Sequence, residues 1–225
     1  MNLKKYFTTK NIMIAVTFIL ILVTSIIFKQ NPLIIAPVFV SLFIMAFQAD
    51  ANRYAYLAGS LNSVVYAGVY AYLGLYASAL SALLVSFPLQ FATFINWKKR
   101  AYKNSVVFKK MSASLRVIIS IGFVISSVTL YIILKAIGSD YAVFDNISTL
   151  IGIMVSVLTL LAYIEYSYLW LISGGIQVIL NFQVMNNNNP EHITYVIFSL
   201  YSAYCIVMAF INVRKLYSEQ RKAEI

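Results

Sequence analysis

Residues 94–99 read FINWKK, and residues 210–215 read FINVRK. Each of these two segments ends a long apolar stretch and leads into basic residues. Because apolar letters often coincide by chance in such stretches, the shared asparagine and lysine carry the most weight. The two segments are therefore interpreted as matching ends of an internal repeat. Further identities at the same offset of 116 residues are Leu84 with Leu200 and Ser86 with Ser202.

The repeat continues towards the N-terminus, where paired tyrosines recur at an offset of 112 residues. The offset grows by four at the asparagine tract of residues 186–189, which is consistent with an insertion there. The sequence thus predicts two matched units. The matching positions at the smaller offset are Tyr54, Tyr56 and Leu57 with Tyr166, Tyr168 and Leu169.

The composition of the chain is that of an integral membrane protein. Of its 225 residues, 61% are hydrophobic and 11% are charged, and the mean hydropathy is +0.83. A soluble domain carries about 25% charged residues and about 45–50% apolar ones. The chain has too little polar surface to cover a water-soluble globule. This excludes a cytosolic enzyme, a secreted disulfide scaffold and a DNA-binding domain.

Cysteine and histidine are too few for a disulfide framework or a metal site. Cys205 and His192 are the single residues of their types. We therefore expect no cofactor and no metal. The first apolar stretch, residues 11–28, is too long for the core of a secretory signal and lacks a clear cleavage pattern. It is predicted to be a retained helix.

Long apolar runs predict membrane-spanning helices, because backbone groups in lipid must form their hydrogen bonds within the segment. A helix needs about 20 mostly apolar residues to cross the bilayer core. The sequence therefore predicts an all-α protein with eight transmembrane helices. The predicted spans are 11–28, 32–48, 54–73, 75–97, 115–137, 147–163, 166–184 and 192–213.

The distribution of basic residues predicts the orientation. If both termini are cytoplasmic, 15 of the 17 lysines and arginines lie on the cytoplasmic side, and only Lys29 and Lys135 lie outside. An odd number of helices would place one terminal basic cluster outside. The formal net charge of +10 therefore indicates topology and attraction to anionic membrane lipids, and no nucleic-acid partner is expected.

The one substantial internal loop, residues 98–116, contains seven basic residues. It is interpreted as a lipid-facing basic connector that sets the topology. The alternative is a docking site for a cytosolic partner. Trp97, beside Lys98, is predicted to belong to the aromatic belt at the membrane surface.

The repeat and the charge distribution together predict a domain plan. An extra N-terminal helix (1–31) precedes a first three-helix repeat (32–97). A basic loop and a linker helix (98–137) then restore the starting side for a second three-helix repeat with the C-terminal tail (138–225). Parallel repeats of this kind are a known transporter plan, with substrate bound between the repeats near the membrane midplane.

Polar side chains within the spans are expected to face the interior of the bundle. Gln90 and Gln177 are the hardest to explain at a lipid surface, while Trp170 suits either a belt or a substrate ring. No carboxylate lies near the centre of a span, which favours passive movement of a neutral or weakly charged solute. No catalytic motif is evident, so no enzyme is predicted. The polar set also includes Asn62, Tyr66, Asn96 and Asn181.

The motifs of the chain resemble those of the PnuC family of vitamin transporters. The first half contains the spacing N-x6-G-x2-N-x3-Y, then GLY at 74–76 and FPLQF at 87–91 before NWKK. The second half has Glu165 five residues before Trp170, as in the E-x-W-x-x-W-x3-N/D region of that family. The resemblance covers roughly helices 2 to 8. The residues of the first spacing are Asn52, Gly59, Asn62 and Tyr66.

The resemblance implies a bacterial inner-membrane facilitator for nicotinamide riboside. It implies a SWEET-like 3+1+3 fold, often trimeric, with energy-independent transport by alternating access and trapping of the product by cytosolic phosphorylation. Trp170 matches the second tryptophan of the family motif and would stack on the substrate ring. Gln90 matches a glutamine of the fourth helix that lines the site, and Gln177 lies one turn beyond the motif.

Two positions depart from the family pattern. Ser167 replaces the first motif tryptophan, and Gly174 replaces the following Asn or Asp. The expected substrate-binding set therefore comprises Trp170, Gln90, Gln177, Asn62, Tyr66, Ser167 and Gly174. Thiamine, riboflavin or a deoxynucleoside are alternative substrates. The rival interpretations are a sugar or other metabolite transporter of the same fold, and a non-transporting membrane interaction protein.

Overall fold

A computed structural model describes residues 9–72, 79, 82–136, 142–186 and 190–223. Within these ranges the protein is mostly helical. A π-helical segment, Ala82–Ser86, precedes the fourth helix, and a 3₁₀ turn, Pro190–His192, precedes the eighth. The eight described α-helices are α1 (Thr9–Ile27), α2 (Pro32–Ala49), α3 (Tyr54–Tyr72), α4 (Phe87–Lys99), α5 (Ala113–Ala136), α6 (Ala142–Leu160), α7 (Tyr166–Asn186) and α8 (Ile193–Ala223).

Each predicted span overlaps one of these helices, so the prediction of a mostly helical chain is confirmed, with eight α-helices among the described residues. Among the described residues, α1, α2, α5, α7 and α8 are long and apolar enough to cross a membrane. Crossing by α3, α4 and α6 stays a prediction. The first part of the span predicted at 75–97, with the GLY motif at 74–76, lies largely outside the described residues.

Helices 2–4 and helices 6–8 pack in corresponding pairs. Helix α2 contacts α3, and α3 contacts α4; in the same way α6 contacts α7, and α7 contacts α8. The two groups meet where α4 packs on α6 and where α8 packs on α2. Helix α1 lies against α8 and α2, and α5 lies against α6. The bundle therefore has two groups of three helices that meet in two similar contacts.

The first helix of each group ends in the same way. After α2, the Asn52 N–H donates to the Phe47 carbonyl (3.0 Å), and after α6, the Tyr163 N–H donates to the Leu158 carbonyl (2.9 Å). These bonds are typical of a Schellman motif, which requires a left-handed residue just after the helix. The left-handed residues are Ala51 (φ 50°) and Ala162 (φ 58°), and both are fully buried.

The matched asparagines of the repeat ends join the two groups. The Asn96 amide, near the end of α4, donates to the Leu160 carbonyl at the end of α6. The Asn212 amide, on α8, donates to the Ala49 carbonyl at the end of α2 (2.8 Å). Carbonyls in the last turn of a helix have no partner within the helix. Each asparagine thus satisfies one such carbonyl in the other group.

The segment between α4 and α5, residues 100–112, is folded, and one apolar side of it lies in the core. We call it the hairpin segment. A short antiparallel hairpin pairs β1 (Ala101–Tyr102) with β2 (Ser105–Val106). After it, Val106, Phe108 and Met111 are buried. The expectation of a lipid-facing connector is therefore wrong for this part of the loop. The signal for this buried side is weak in the sequence, because its apolar residues are few and stand between lysines.

Hydrogen bonds hold this segment to α8 and to the residues between α6 and α7. The buried side chain of Gln220, on α8, accepts from the Phe108 N–H (2.9 Å) and donates to the Val106 carbonyl (2.9 Å). Lys109 pairs through its backbone with residues 162 and 164, ahead of α7. Lys103 donates to the Glu219 carboxylate (2.8 Å), and this hydrogen bond raises the pKa of Lys103.

These contacts explain why α8 runs to Ala223, ten residues beyond the predicted span. Its last turns provide the residues that hold the hairpin.

Trp97 also differs from its prediction, because it is fully buried and its Nε1 donates to the Thr159 carbonyl (2.7 Å). The interpretation of Trp97 as a belt residue is wrong, and the residue belongs to the core.

Candidate functional site

A cavity of about 800 Å³ lies between the two groups of three helices. Its walls come from α2 and α3, from the π-helical segment and α4, and from α6 and α7. Within the described residues, its lining contains no Asp, Glu, Lys, Arg or His. The polar and aromatic residues that line this cavity are Gln48, Tyr56, Ser86, Gln90, Thr93, Ser156, Thr159, Tyr166, Trp170, Ser173 and Gln177.

Gln90 projects from the first turn of α4 towards α3 and the cavity. Its Nε2 donates to Ser63 Oγ (3.0 Å), and Ser63 in turn donates to the Gly59 carbonyl (2.9 Å). A chain of hydrogen bonds therefore fixes the Gln90 amide against α3. A side chain held in this way can present its amide to a ligand with little loss of conformational entropy on binding.

Gly59 provides the space that Gln90 occupies. A Cβ atom added at this position would lie 1.9 Å from Gln90 Oε1. Gly68, further along the same helix, would meet nothing within 4 Å. The glycine of the N-x6-G-x2-N-x3-Y spacing is thus explained by the close approach of a cavity residue.

Helix α7 contributes one continuous face to the opposite wall. Tyr166, Trp170, Ser173 and Gln177 are spaced by three or four residues, and such positions share one face of a helix. The Trp170 ring is half-buried, and its centroid lies 6.3 Å from that of Tyr166. The structure therefore brings three of the predicted site residues, Gln90, Trp170 and Gln177, to one cavity.

Asn62 and Tyr66 are not part of the cavity lining. The Asn62 amide donates to Ser41 Oγ (3.0 Å) and to the Pro37 carbonyl (3.3 Å), both on α2. Tyr66 Oη lies 3.4 Å from Ser41 Oγ. Both residues thus contact the part of α2 where Pro37 interrupts the regular helix, and they link α3 to α2.

Ser167 and Gly174 are also absent from the lining. Ser167 is 1% exposed, and its hydroxyl donates to the Ile164 carbonyl (2.8 Å) in the first turn of α7. Gly174 faces α8, where an added Cβ atom would lie 2.8 Å from Ile206 Cδ1. The two departures from the family motif therefore take part in a local hydrogen bond at the start of α7 and in helix packing.

Several lining residues, among them Gln48, Tyr56 and Tyr166, lie outside the predicted site set. Gln48 ends an apolar run, where a polar residue is ordinary. The two tyrosines are among 17 in the chain, and nothing in their number singled them out. The repeat did mark them, since Tyr54, Tyr56, Tyr166 and Tyr168 form its upstream match.

An aromatic cluster of Tyr56, Trp97, Phe108 and Tyr166 bounds one end of the cavity. All four residues are buried, and the two tyrosines also line the cavity. The Trp97 ring centroid lies 4.8 Å from that of Tyr56, 5.6 Å from that of Phe108 and 6.4 Å from that of Tyr166. Phe108 comes from the hairpin segment, so the loop between the two groups packs against this end of the cavity through the aromatic cluster.

The two acidic residues near this end of the cavity already form ion pairs with basic residues. Asp50, after α2, forms an ion pair with Lys10. Glu165, just before α7, accepts from the Met111 N–H (3.1 Å) and lies 3.3 Å from Arg116. Among the described residues, no group of three or more metal-ligating side chains occurs. The site is therefore suited to hydrogen bonding and ring stacking of a solute.

Apolar helices around a cavity lined with amides and aromatic residues define a class: membrane proteins that handle a small molecule. A family profile described as nicotinamide mononucleotide transporter matches residues 31–214. The chain belongs to this family, that of the PnuC transporters, and the resemblance seen in its motifs is confirmed. It is a multi-pass membrane protein of a transporter family.

The fold agrees with a solved member of the family. The crystal structure of the vitamin B3 transporter PnuC superposes with a TM-score of 0.71. The two chains are 21% identical, and the match covers 92% of each. A search of curated protein sequences found no match.

Proposed function

We propose that this protein is a facilitator that imports nicotinamide riboside by energy-independent alternating access. In this proposal a cytosolic kinase traps the product by phosphorylation. The observation that carries the proposal is the placement of Gln90, Trp170 and Gln177 around one cavity in a chain of the PnuC family. The protein would lie in the bacterial inner membrane, with both termini in the cytoplasm, and would form a homotrimer.

The chemistry of the cavity suits this substrate. Nicotinamide riboside carries a flat cationic ring, a carboxamide and ribose hydroxyls. A tryptophan face attracts a cationic ring, and glutamine amides can both donate to and accept from a carboxamide or a hydroxyl. The volume of about 800 Å³ lies within the usual ~300–1,000 Å³ of small-molecule sites.

The absence of charged residues from the described lining supports transport without ion coupling. Membrane proteins that move protons or couple to ions use acidic residues within the membrane. Here Asp50 and Glu165 lie at helix ends and contact Lys10 and Arg116. A cationic solute would then move down its own gradient, and phosphorylation would keep the internal concentration low.

Alternating access would use the two groups of three helices as the moving repeats of a SWEET-like 3+1+3 plan. Their corresponding helix pairs, their matched helix ends and the exchange of bonds by Asn96 and Asn212 support this assignment. In such transporters one repeat rocks against the other around a central site. The aromatic cluster, at one end of the cavity, would have to separate for solute to pass that end.

Another ring-bearing vitamin or a nucleoside is the second candidate. The observation that favours it is the burial of Ser167 and the packing of Gly174 against Ile206. Neither position supplies the second aromatic wall or the amide of the family motif. Thiamine, riboflavin and deoxynucleosides are the candidates with flat rings and polar groups.

Ligand binding to the purified protein tests the proposal. A ligand that binds only the folded state raises the apparent melting temperature. We expect nicotinamide riboside to raise it more than thiamine, riboflavin, a deoxynucleoside or a hexose do. Gln90→Leu should remove this shift without unfolding the protein, while Gln183→Leu, on the same bundle but outside the cavity lining, should retain it. A shift produced by the hexose alone would reject the proposal.

A further inference from the structure

A second cavity, of about 480 Å³, lies at the basic end of the bundle. It shares no lining residue with the cavity between the two groups of helices, which we call the transport cavity. It forms where the start of α5, the start of α7 and the last part of α8 come together. We call it the basic pocket. Its charged and hydroxyl-bearing lining residues are Lys110, Arg116, Arg214, Glu165, Tyr168, Tyr217 and Ser218.

The charges of the basic pocket do not balance. Glu165 is the one acidic residue of its described lining, and Arg116 lies 3.3 Å from Glu165 Oε1. Arg116 also donates to the Met111 carbonyl (3.0 Å), so its guanidinium is fixed. Within the described residues, Lys110 and Arg214 form no ion pair with a carboxylate. The pocket therefore carries two positive charges that its own residues leave uncompensated.

Arg214 is held by aromatic rings. Its guanidinium carbon lies 5.3 Å from the Phe210 ring centroid and 5.8 Å from the Tyr168 ring centroid. A cation–π contact positions the guanidinium plane without using its N–H donors. The edge of the guanidinium thus stays able to bind oxygen atoms. A phosphate matches such an edge, because two of its oxygens can accept two parallel N–H bonds.

An apolar surface lies directly beside the pocket. Arg116 is followed on α5 by Val117, Ile118 and Ile121, which are 58%, 65% and 56% exposed. Helix α5 is long and apolar enough to cross a membrane, and none of its spanning window is buried. A molecule with a phosphate in the pocket would therefore place any attached hydrocarbon chain along an apolar face.

We propose that the basic pocket binds the phosphate group of an anionic membrane lipid. Lys110 and Arg214 provide the charge, Tyr217 and Ser218 add hydroxyl donors, and the exposed face of α5 accommodates the acyl chains. Glu165 keeps Arg116 in place. The site would fix a lipid where α5, α7 and α8 meet, next to the hairpin segment. It does not depend on which solute the transport cavity accepts.

The full-length protein in mixed micelles provides the test. The melting temperature is measured at increasing mole fractions of phosphatidylglycerol, with phosphatidylcholine as the uncharged lipid of matched size. We expect phosphatidylglycerol to raise the melting temperature of the wild type and phosphatidylcholine to leave it unchanged. Lys110→Gln and Arg214→Gln should each raise the half-saturating fraction of phosphatidylglycerol about fivefold.

Two controls are needed. One tests whether the effect comes from this pocket and not from surface charge in general, and the other tests whether the bound phosphate belongs to a lipid. Lys99→Gln removes one exposed positive charge at the end of α4, outside the pocket, and should leave the half-saturating fraction unchanged. Lys110 is exposed, so its variant is expected to fold. An equal weakening by Lys99→Gln would overturn the proposal. Stabilisation of the wild type by inorganic phosphate to the same extent would also overturn it, in favour of a soluble phosphate.

Discussion

The two groups of three helices share their framework and differ in what they present to the cavity. Residues 90 and 206 occupy the same place in the repeat, 116 positions apart. In the first group this residue is Gln90, which lines the cavity. In the second it is Ile206, which is buried against α7.

The same steric arrangement serves both positions. Gly59 on α3 leaves room for Gln90, and Gly174 on α7 leaves room for Ile206. A close approach between the second and third helices is therefore common to both groups. The second group instead contributes its polar surface from α7, through Trp170 and Gln177. The repeat therefore specifies helix packing, while the polar surface of the cavity is determined separately in each half.

The largest effect is expected at the fully buried matched pair Trp97 and Val213. Trp97→Ala should lower the free energy of unfolding by ~3–5 kcal/mol, because it leaves a large cavity and removes one of the two donors to the Thr159 carbonyl. Val213→Ala removes two methyl groups and should cost about 2 kcal/mol. Chemical unfolding in detergent measures both. Equal losses of stability in the two variants would show that the aromatic contacts of Trp97 add nothing beyond what the smaller Val213 contributes in the second group.

Trp170 should behave differently from Trp97, because it lines the cavity and is half-buried. Trp170→Ala should weaken solute binding by ~1–3 kcal/mol if a ring stacks there. Trp170→Phe should restore part of the affinity, and both variants should unfold near the wild-type midpoint. Calorimetric titration gives the affinities. An unchanged affinity in Trp170→Ala would remove this residue from the site.

Variants of Gly59 and Gly174 distinguish a role in helix packing from a role in the solute site. Gly59→Ala forces the Gln90 amide to move and should cost ~1–2 kcal/mol of stability together with a loss of solute affinity. Gly68→Ala, on the same helix, is the matched control and should retain wild-type affinity. Gly174→Ala should reduce stability while leaving affinity nearly unchanged. A loss of affinity in Gly174→Ala equal to that in Gly59→Ala would contradict the difference between the halves.

The smallest effect is expected at the asparagines of the repeat ends. Asn96→Ala and Asn212→Ala each leave one helix-end carbonyl without its side-chain donor. Each should lower the free energy of unfolding by about 1 kcal/mol, and by similar amounts. Thermal unfolding of the two single variants provides the comparison. A large effect in one and none in the other would argue against matched roles.

The helical framework could be predicted from the sequence because lipid requires long apolar runs, and such runs are visible without an alignment. The position of Gln90 and Gln177 in the cavity wall could be predicted for a related reason, since an amide in an apolar run needs a polar neighbour. The same argument placed Asn62 and Tyr66 in the site, whereas they link α3 to α2 at Pro37 and Ser41. Burial of a polar group can be inferred from its neighbours in sequence, but the choice between two interfaces depends on the rotation of the helix.

The segment after α4 shows a second limit. Its lysines gave a clear signal for topology, and this signal concealed the buried Phe108 and Met111. The Phe108 N–H donates to Gln220, which is 112 residues away. The aromatic cluster likewise joins α3, α4, the hairpin segment and α7. Contacts between distant parts of the chain leave no local pattern, so this end of the cavity became evident only in three dimensions.

Counterflow in proteoliposomes tests the central claim most directly. Vesicles loaded with unlabelled nicotinamide riboside should accumulate the labelled solute with no ion gradient present, and the rate should saturate. Collapse of proton and sodium gradients should leave the rate unchanged, and Gln90→Leu combined with Trp170→Ala should abolish it. Absence of exchange in the wild type, or exchange that requires an ion gradient, would contradict the account.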